Sequence, residues 1–374
     1  MDAKTAMDIC IEKTKLHIAE FKKSGFKEYC TCTNGNFFTE GESAELNSKW
    51  VWTASFFTGM ASIAYEHNGD KEILSWLESL YDLYYDKIFN HGRETMHDLG
   101  FVYSPYGVMM YKLTGEAKYR EISIKAADEL CKRYVFDGGY INAWADMDDE
   151  SIAEMPYGII DCMMNLPLLF WAWKETGNRF YYHIAKNHAD MTLKYMVRDD
   201  FSVYHAYAFY PETGQPEGGR NYCGFEKESH WARGTAWGVY GFIVAYQYTQ
   251  DERYAEAAVN VANKYIESLD GESVPPWDFR LNEDMPKDRD TSAAVIMACA
   301  LFEIVKEGKA TAAIEKLYRS TLDEVLGDRY FNTDEDVHGI LRESNGRYTY
   351  TIFGDYFFME LFAKEMGIIT DLCW

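Results

Sequence analysis

Gly158-Ile159-Ile160-Asp161-Cys162-Met163-Met164-Asn165-Leu166-Pro167-Leu168-Leu169-Phe170-Trp171-Ala172-Trp173-Lys174-Glu175-Thr176-Gly177-Asn178 is apolar on nearly every face of a helix until it turns at Glu175 to Asn178. A helix that is apolar all round lies inside a protein. Beyond Asn178 the apolar residues return at helical spacing on one face only, as an outer helix requires. A single acid interrupts the run. Asp161, flanked by Ile159, Ile160 and Cys162, is costly to bury unless it is paired or protonated. It is either held in a buried ion pair or cap, or kept at a raised pKa for chemistry.

The same hairpin recurs along the chain. Tyr65 to Asp70, Leu113 to Glu116 and Tyr248 to Asp251 are further turns between an apolar helix and an amphipathic one. Tyr119, Tyr181 and Tyr254 follow Gly115, Gly177 and Gln250 by four positions, and Asp128, Asp190 and Asn263 follow those tyrosines by nine. This is an internal repeat of helical hairpins with units of roughly 45 to 75 residues. Six inner helices are expected to begin near Trp52, Asp98, Gly158, Trp231, Thr291 and Tyr348. Five outer helices begin near Asp70, Glu116, Asn178, Asp251 and Ala310, and an amphipathic helix over residues 4–23 supplies the sixth. The stretch 25–48, rich in Gly, Cys and Asn, reads as loop. The expected fold is all-α, an (α/α)6 toroid of twelve helices whose outer ring is closed by the N-terminal helix, with residues 1–374 as a single catalytic domain.

Composition narrows the function. A formal net charge of -23 argues against a nucleic-acid partner, which needs a basic face. The aromatic content of 16% suits a site that stacks on sugar rings, although a Tyr-rich helical core accounts for most of it. The N-terminus lacks the basic-then-apolar pattern of a signal, and no apolar run approaches the roughly 18 residues of a membrane span. No membrane association and a cytoplasmic location are expected. The eight cysteines show no paired metal spacing and read as free thiols, Cys30-Thr31-Cys32 included.

In such a ring the turns from outer to inner helix are long, and all open on one rim. Trp50 to Trp52, His97-Asp98, Trp144, Asp161, His205, Trp231 to Trp237 and Trp277-Asp278 therefore converge on one mouth, the usual description of an active site. Asp98 opens an inner helix, where it is either an N-cap or a carboxylate that the helix dipole keeps ionised. Asp161, in apolar surroundings, is pushed toward protonation. Two carboxyls so divided suit acid and base chemistry on a sugar. His205 precedes a Pro-Glu-Thr-Gly turn and by itself reads more readily as a structural histidine than as a site residue. Arg233 and Trp237 lie one helical turn apart, so a cation and an indole share a face toward an anionic ring; core packing accounts for Trp237 but poorly for Arg233. Arg289, in Arg289-Asp290-Thr291-Ser292, reads as part of a salt-bridged cap rather than as a ligand contact.

These residues stand in motifs that resemble glycoside hydrolase family 88, the unsaturated glucuronyl hydrolases. The resemblance runs from about Trp50 to Asp355 through HDLGF at 97–101, INAWAD at 141–146, IIDCMMNLPLL at 159–169, YHAYAFYPETGQP at 204–216, ESHWARGTAWGVYG at 228–241, PPWDF at 275–279 and RDTSAA at 289–294. It implies an (α/α)6 barrel, Asp161 as general acid and base, and Asp98 as a second essential carboxylate that binds the sugar hydroxyls. It further implies that Trp52, His97, Trp144, His205, Trp231, Arg233 and Trp237 line the pocket. The implied substrate is a lyase-generated oligosaccharide of glycosaminoglycan type with a 4,5-unsaturated uronic acid at its non-reducing end. In the implied reaction Asp161 protonates the vinyl ether at C4, water adds at C5, and the hemiketal opens to release the remaining sugar. No metal and no organic cofactor are implied. The chain departs from the family at Cys223, where Gln is usual, at Ala54 in place of Asn, and at Tyr157-Gly158 in place of Arg-Leu. The polar loop that reads sulfate in some members is not recognisable in residues 342–347. The identity of the second sugar, sulfated or not, stays open. The alternatives are an unsaturated rhamnogalacturonyl hydrolase acting on pectin fragments, a sugar epimerase built on histidine pairs, and a carbohydrate-binding relative that has lost catalysis.

Overall fold

The computed structural model describes residues 1–24, 28–35, 37, 42–147, 149–346, 349–368 and 374. Six inner helical segments follow one another in space: Ala54–Asn68, Leu99–Tyr103 continuing to Thr114, Leu166–Thr176, Ala232–Thr249, Thr291–Lys306 and Ile352–Glu365. Each packs on the next, and the sixth packs on the first, which closes the ring. The outer layer is built from Lys71–Ser79 with Tyr81–Asn90, Ala117–Cys131, Arg179–Met191, Glu252–Ser268 and Ala312–Val325. The N-terminal helix, Ala3–Ser24, packs against the first and sixth inner helices and so fills the last outer place. Among the described residues no helix is long and apolar enough to cross a membrane.

The repeated residues have a common task. Gly69, Gly115, Gly177 and Gln250 all cap an inner helix in the left-handed conformation, φ 57° to 70°, and their N–H groups bond back into the last turn. Gln250 does this without glycine's freedom. The tyrosine of one unit then reaches the acid of the unit before: Tyr181 donates to Asp128 at 2.6 Å and Tyr254 to Asp190 at 2.9 Å. At the next step Thr311 donates to Asn263 at 3.3 Å. The spacing seen in the sequence thus stitches neighbouring outer helices together.

Three local departures matter. Residues 28–33 and 42–45, within the stretch read as loop, form two antiparallel strands, and the first also pairs with Tyr350–Thr351; their partner lies at the far end of the chain, beyond any local signal. The third inner helix does not start at Gly158. Tyr157–Ile159 is a strand paired with Ala206–Phe209, followed by a tight turn over Ile160–Met164, and the helix begins at Leu166. The sixth inner helix begins at Ile352, while Tyr348 lies outside the described residues. The cysteines described, 10, 32, 131, 162, 223 and 299, are free; Cys373 and the side chain of Cys30 fall outside the description.

Candidate active site

The antiparallel strands set the first contact. Gly158 pairs with Tyr207, Ile159 with Ala206, and the Ile160 N–H bonds to the His205 carbonyl at 2.9 Å. This register places Asp161 next to His205, with Oδ2 3.6 Å from Nε2. The Tyr222 N–H donates to His205 Nδ1 at 3.1 Å, so in the neutral ring the proton sits on Nε2 and faces Asp161. Burial, with His97 and Arg233 nearby, pushes His205 down to about 3 and keeps it neutral.

A second pairing lies on the neighbouring helix. His97 bonds through Nδ1 to the Ala143 carbonyl at 2.9 Å, and its Nε2 lies 3.2 Å from Asp98 Oδ1. Burial lowers His97 to about 4, so Nδ1 carries the single proton and donates it to Ala143, leaving a lone pair toward Asp98. Nε2 has no hydrogen-bond partner among the described residues, and a carboxyl this close to its lone pair is favoured in the protonated form. Burial does push Asp98 up to about 7, against the pull of Arg133 and Lys87. The expectation that the helix dipole keeps Asp98 ionised is overturned. Its side chain makes no cap hydrogen bond, the helix it opens is five residues long, and desolvation outweighs the dipole.

Asp161 is also raised, to about 6, by burial first and then by Asp98, while His97 and Arg233 oppose the shift. Its Oδ2 has no hydrogen-bond partner among the described residues. A structural buried charge looks different in this protein: toward the other end of the sixth inner helix, Lys364 bridges Glu303 at 2.8 Å and Glu360 at 3.1 Å. Asp161 and Asp98 are two interacting carboxyls with protons to exchange near neutral pH. Gly100 fixes the two segments together, since a Cβ there would fall 2.4 Å from the Asn165 Cα, and the Phe101 N–H bonds to Asn165 Oδ1 at 2.8 Å.

Around these acids the aromatic residues form a circuit. Trp144 meets His205 at 6.0 Å, His205 meets Trp231 at 5.2 Å, and the Arg233 guanidinium lies 4.8 Å from Trp231 and 5.1 Å from Phe353. Phe353 meets Trp52 at 5.0 Å, and Trp52 meets Phe101 at 5.6 Å. The helix of Phe101 leads back to His97, bonded beside Trp144. Trp237 stands below this circuit, fully buried against Phe101 and Phe357, with its indole N–H unpartnered among the described residues. Core packing accounts for its position.

Residues 30–244 match the family model described as Glycosyl Hydrolase Family 88. The chain is 33% identical over 332 residues to an unsaturated chondroitin disaccharide hydrolase of Streptococcus pneumoniae, covering 84% of this chain and 81% of that protein. The chain belongs to glycosyl hydrolase family 88. The solved unsaturated glucuronyl hydrolase of Bacillus sp. GL1, responsible for the degradation of glycosaminoglycan, superposes with a TM-score of 0.89 at 27% identity, over 100% of this chain and 99% of that one. An aspartate-to-asparagine variant of the Streptococcus agalactiae unsaturated glucuronyl hydrolase, solved with dGlcA-GalNAc6S, superposes at 0.79 and 27% identity, over 100% of this chain and 93% of that one.

As a family 88 glycosidase the chain uses several groups that carry no sequence signal. Arg133 is buried and clamps the Thr95, Asn142, Trp144 and Ala145 carbonyls, holding Ala145 at a φ of 74°. Lys87 holds the Leu46 carbonyl at 2.6 Å, and burial pushes it down to about 8. Asp278 accepts from the Phe225, His230 and Arg280 N–H groups; it anchors the site loop and does not face the mouth. Arg233 is not free to face an anion with its whole fork. Its Nη1 bonds to Asp290 at 2.7 Å, Asn345 at 2.9 Å and Ser292 at 3.3 Å, while its Nε is unpartnered among the described residues. Arg289 pairs with Asp270 and Glu272, and Asp290 caps the fifth inner helix, as the sequence reading of that stretch expects.

Removing the Asp98 charge tests its protonation. The fold holds Asp98 near 7 against an ordinary 3.8, so the folded chain binds the proton more tightly than the unfolded one. Stability from this group is therefore present at low pH and lost as pH rises through about 7. Asp98→Asn mimics the protonated form and can donate to His97 Nε2. Its melting temperature is expected to exceed that of wild type, with an advantage that grows between the two pKa values and levels above them. A pH-independent difference in thermal melts would refute the assignment.

Proposed function

We propose that this enzyme releases a 4,5-unsaturated uronic acid from the non-reducing end of lyase-generated oligosaccharides of glycosaminoglycan type, by hydrating the vinyl ether. The carrying observation is Asp161: a carboxyl raised to about 6, without a hydrogen-bond partner at Oδ2, in an aromatic pocket beside a neutral histidine. A general acid works best with a pKa near the working pH. Asp161 protonates C4 of the alkene, and positive charge develops on C5 and the ring oxygen. The same carboxylate then takes a proton from the water that adds at C5. The hemiketal so formed opens and frees the second sugar. His205 Nε2–H steadies Asp161 while it is ionised. Asp98, protonated toward His97, offers its other oxygen to the sugar hydroxyls. The unpartnered Arg233 Nε and the faces of Trp231 and Trp52 suit the planar uronate.

The inner ring draws on helices from Ala54 to Glu365, which supports a single catalytic domain; a cytoplasmic location belongs to the same reading. The test is loss of alkene absorbance on incubation with unsaturated chondroitin, hyaluronan and heparin disaccharides, alongside an unsaturated rhamnogalacturonan disaccharide. Turnover of the glycosaminoglycan substrates is expected. Turnover of the pectin fragment alone would move the chain to the rhamnogalacturonyl reading.

A further inference from the structure

Trp144 joins the Asp161 wall to a neighbouring aromatic cluster. Its ring meets His205, the partner of Asp161, at 6.0 Å, Tyr222 at 5.4 Å and Tyr157 at 5.9 Å, and His205 itself meets Tyr222 at 6.1 Å. Tyr157 and Tyr222 meet each other at 5.8 Å. With Trp50, Met155 and Glu154 they line a cleft of about 390 Å³, within the range of small-ligand sites. Trp50 is 61% exposed and Tyr222 53% exposed. Two large aromatic faces left to solvent beside an acid site call for an occupant. Flat apolar faces with polar rims match a pyranose ring, which carries C–H groups on its faces and hydroxyls at its edge.

The charge around this cleft is one-sided. None of its six lining residues is cationic, and Glu154 is exposed at the rim. Among the described residues, the two cations recorded against its aromatic rings each have an acidic partner: Lys49 bonds to Asp146 at 3.0 Å while lying 5.5 Å from the Trp50 ring, and Arg220, which bears on Tyr222, bonds to Glu217 at 2.7 Å. A sulfate entering here would leave water without gaining an uncommitted cation and would meet a carboxylate.

We infer that the cleft between Trp50, Tyr157 and Tyr222 holds the second sugar of the substrate, the one that leaves, and that Glu154 restricts it to an unsulfated residue. This rests on the hydrolase reading given above, because continuity with the Asp161 wall is what makes the occupant the sugar bonded to the unsaturated uronate. Trp50 and Tyr222 supply the stacking faces. Tyr157 lines the same cleft and meets the Tyr222 ring edge-on.

Three substrates test it, each followed by alkene absorbance: an unsaturated disaccharide with an unsulfated second sugar, its 6-O-sulfated counterpart, and the methyl glycoside of the unsaturated uronate. Wild type is expected to show kcat/KM lower by roughly fivefold or more for the sulfated disaccharide. Glu154→Gln should narrow that ratio by roughly two- to fivefold. Trp50→Ala and Tyr222→Ala should each reduce the disaccharide-to-methyl-glycoside ratio of kcat/KM by roughly two- to tenfold, through KM. Equal rates on sulfated and unsulfated disaccharides, or a disaccharide-to-methyl ratio unmoved in both aromatic variants, overturns the proposal while leaving the hydrolase reading intact. Wild-type protein that consumes none of the three removes the hydrolase reading and this proposal together.

Discussion

Asp161→Asn is expected to fold as wild type does and to lose turnover by roughly 100- to 10,000-fold, the usual contribution of a positioned acid or base. The amide fills the same space against the Ile160–Met164 turn and has no proton to give C4. It also removes a group whose ionisation the fold resists, so thermal stability should hold or rise at neutral pH. The wild-type pH profile gives an independent check. In the proposed reaction Asp161 must be protonated to begin, and burial raises its pKa to about 6. kcat/KM should therefore fall as pH rises through that value, and it should do so with any unsaturated substrate. Turnover of Asp161→Asn within a few-fold of wild type, measured by alkene absorbance with circular dichroism confirming the fold, would take Asp161 out of the mechanism.

The second large effect concerns which bond is made first. In an ordinary glycosidase with two carboxyls, the acid protonates the glycosidic oxygen, and the second carboxylate attacks the sugar or activates water. That arrangement cleaves saturated glucuronides. In the proposed reaction the alkene is a reactant, so saturated aryl glucuronides should be inert under conditions where the unsaturated disaccharide is consumed completely. In deuterated water the new C–H bond at C4 should carry deuterium, and mass spectrometry of the released uronic product should show it. Efficient release of the aryl group from a saturated glucuronide, with no deuterium at C4 of the unsaturated product, would return Asp161 and Asp98 to standard glycosidase roles.

Arg233 shows where sequence reading stops. The helical spacing of Arg233 and Trp237 puts both on one face. What that face meets is decided elsewhere. Asp290 and Asn345, from distant stretches of the chain, take one arm of the guanidinium, and Phe101 and Phe357 bury Trp237. The two carboxyls divide in the same way. Asp161 is legible as a group under pressure to protonate because its immediate neighbours are apolar. Asp98 is misread, because a residue at a helix start looks like a cap until the surrounding chain is seen to exclude water from it.

By itself the sequence determined the ring. Helices that are apolar all round alternate with helices apolar on one face, their turns recur with a tyrosine and a polar residue at fixed spacing, and both signals are local. The order of seven motifs was enough to indicate the family. Only the tertiary structure decided the electrostatics: which tautomer His205 adopts depends on the Tyr222 amide, and the raised pKa of Asp98 comes from its burial, against the pull of Arg133 and Lys87. The placing of residues 28–33 beside Tyr350–Thr351 was likewise settled by the fold. The reason is physical. Periodicity is written in neighbouring residues, whereas desolvation and hydrogen-bond partners are supplied by segments far away in the chain, and no local pattern carries them.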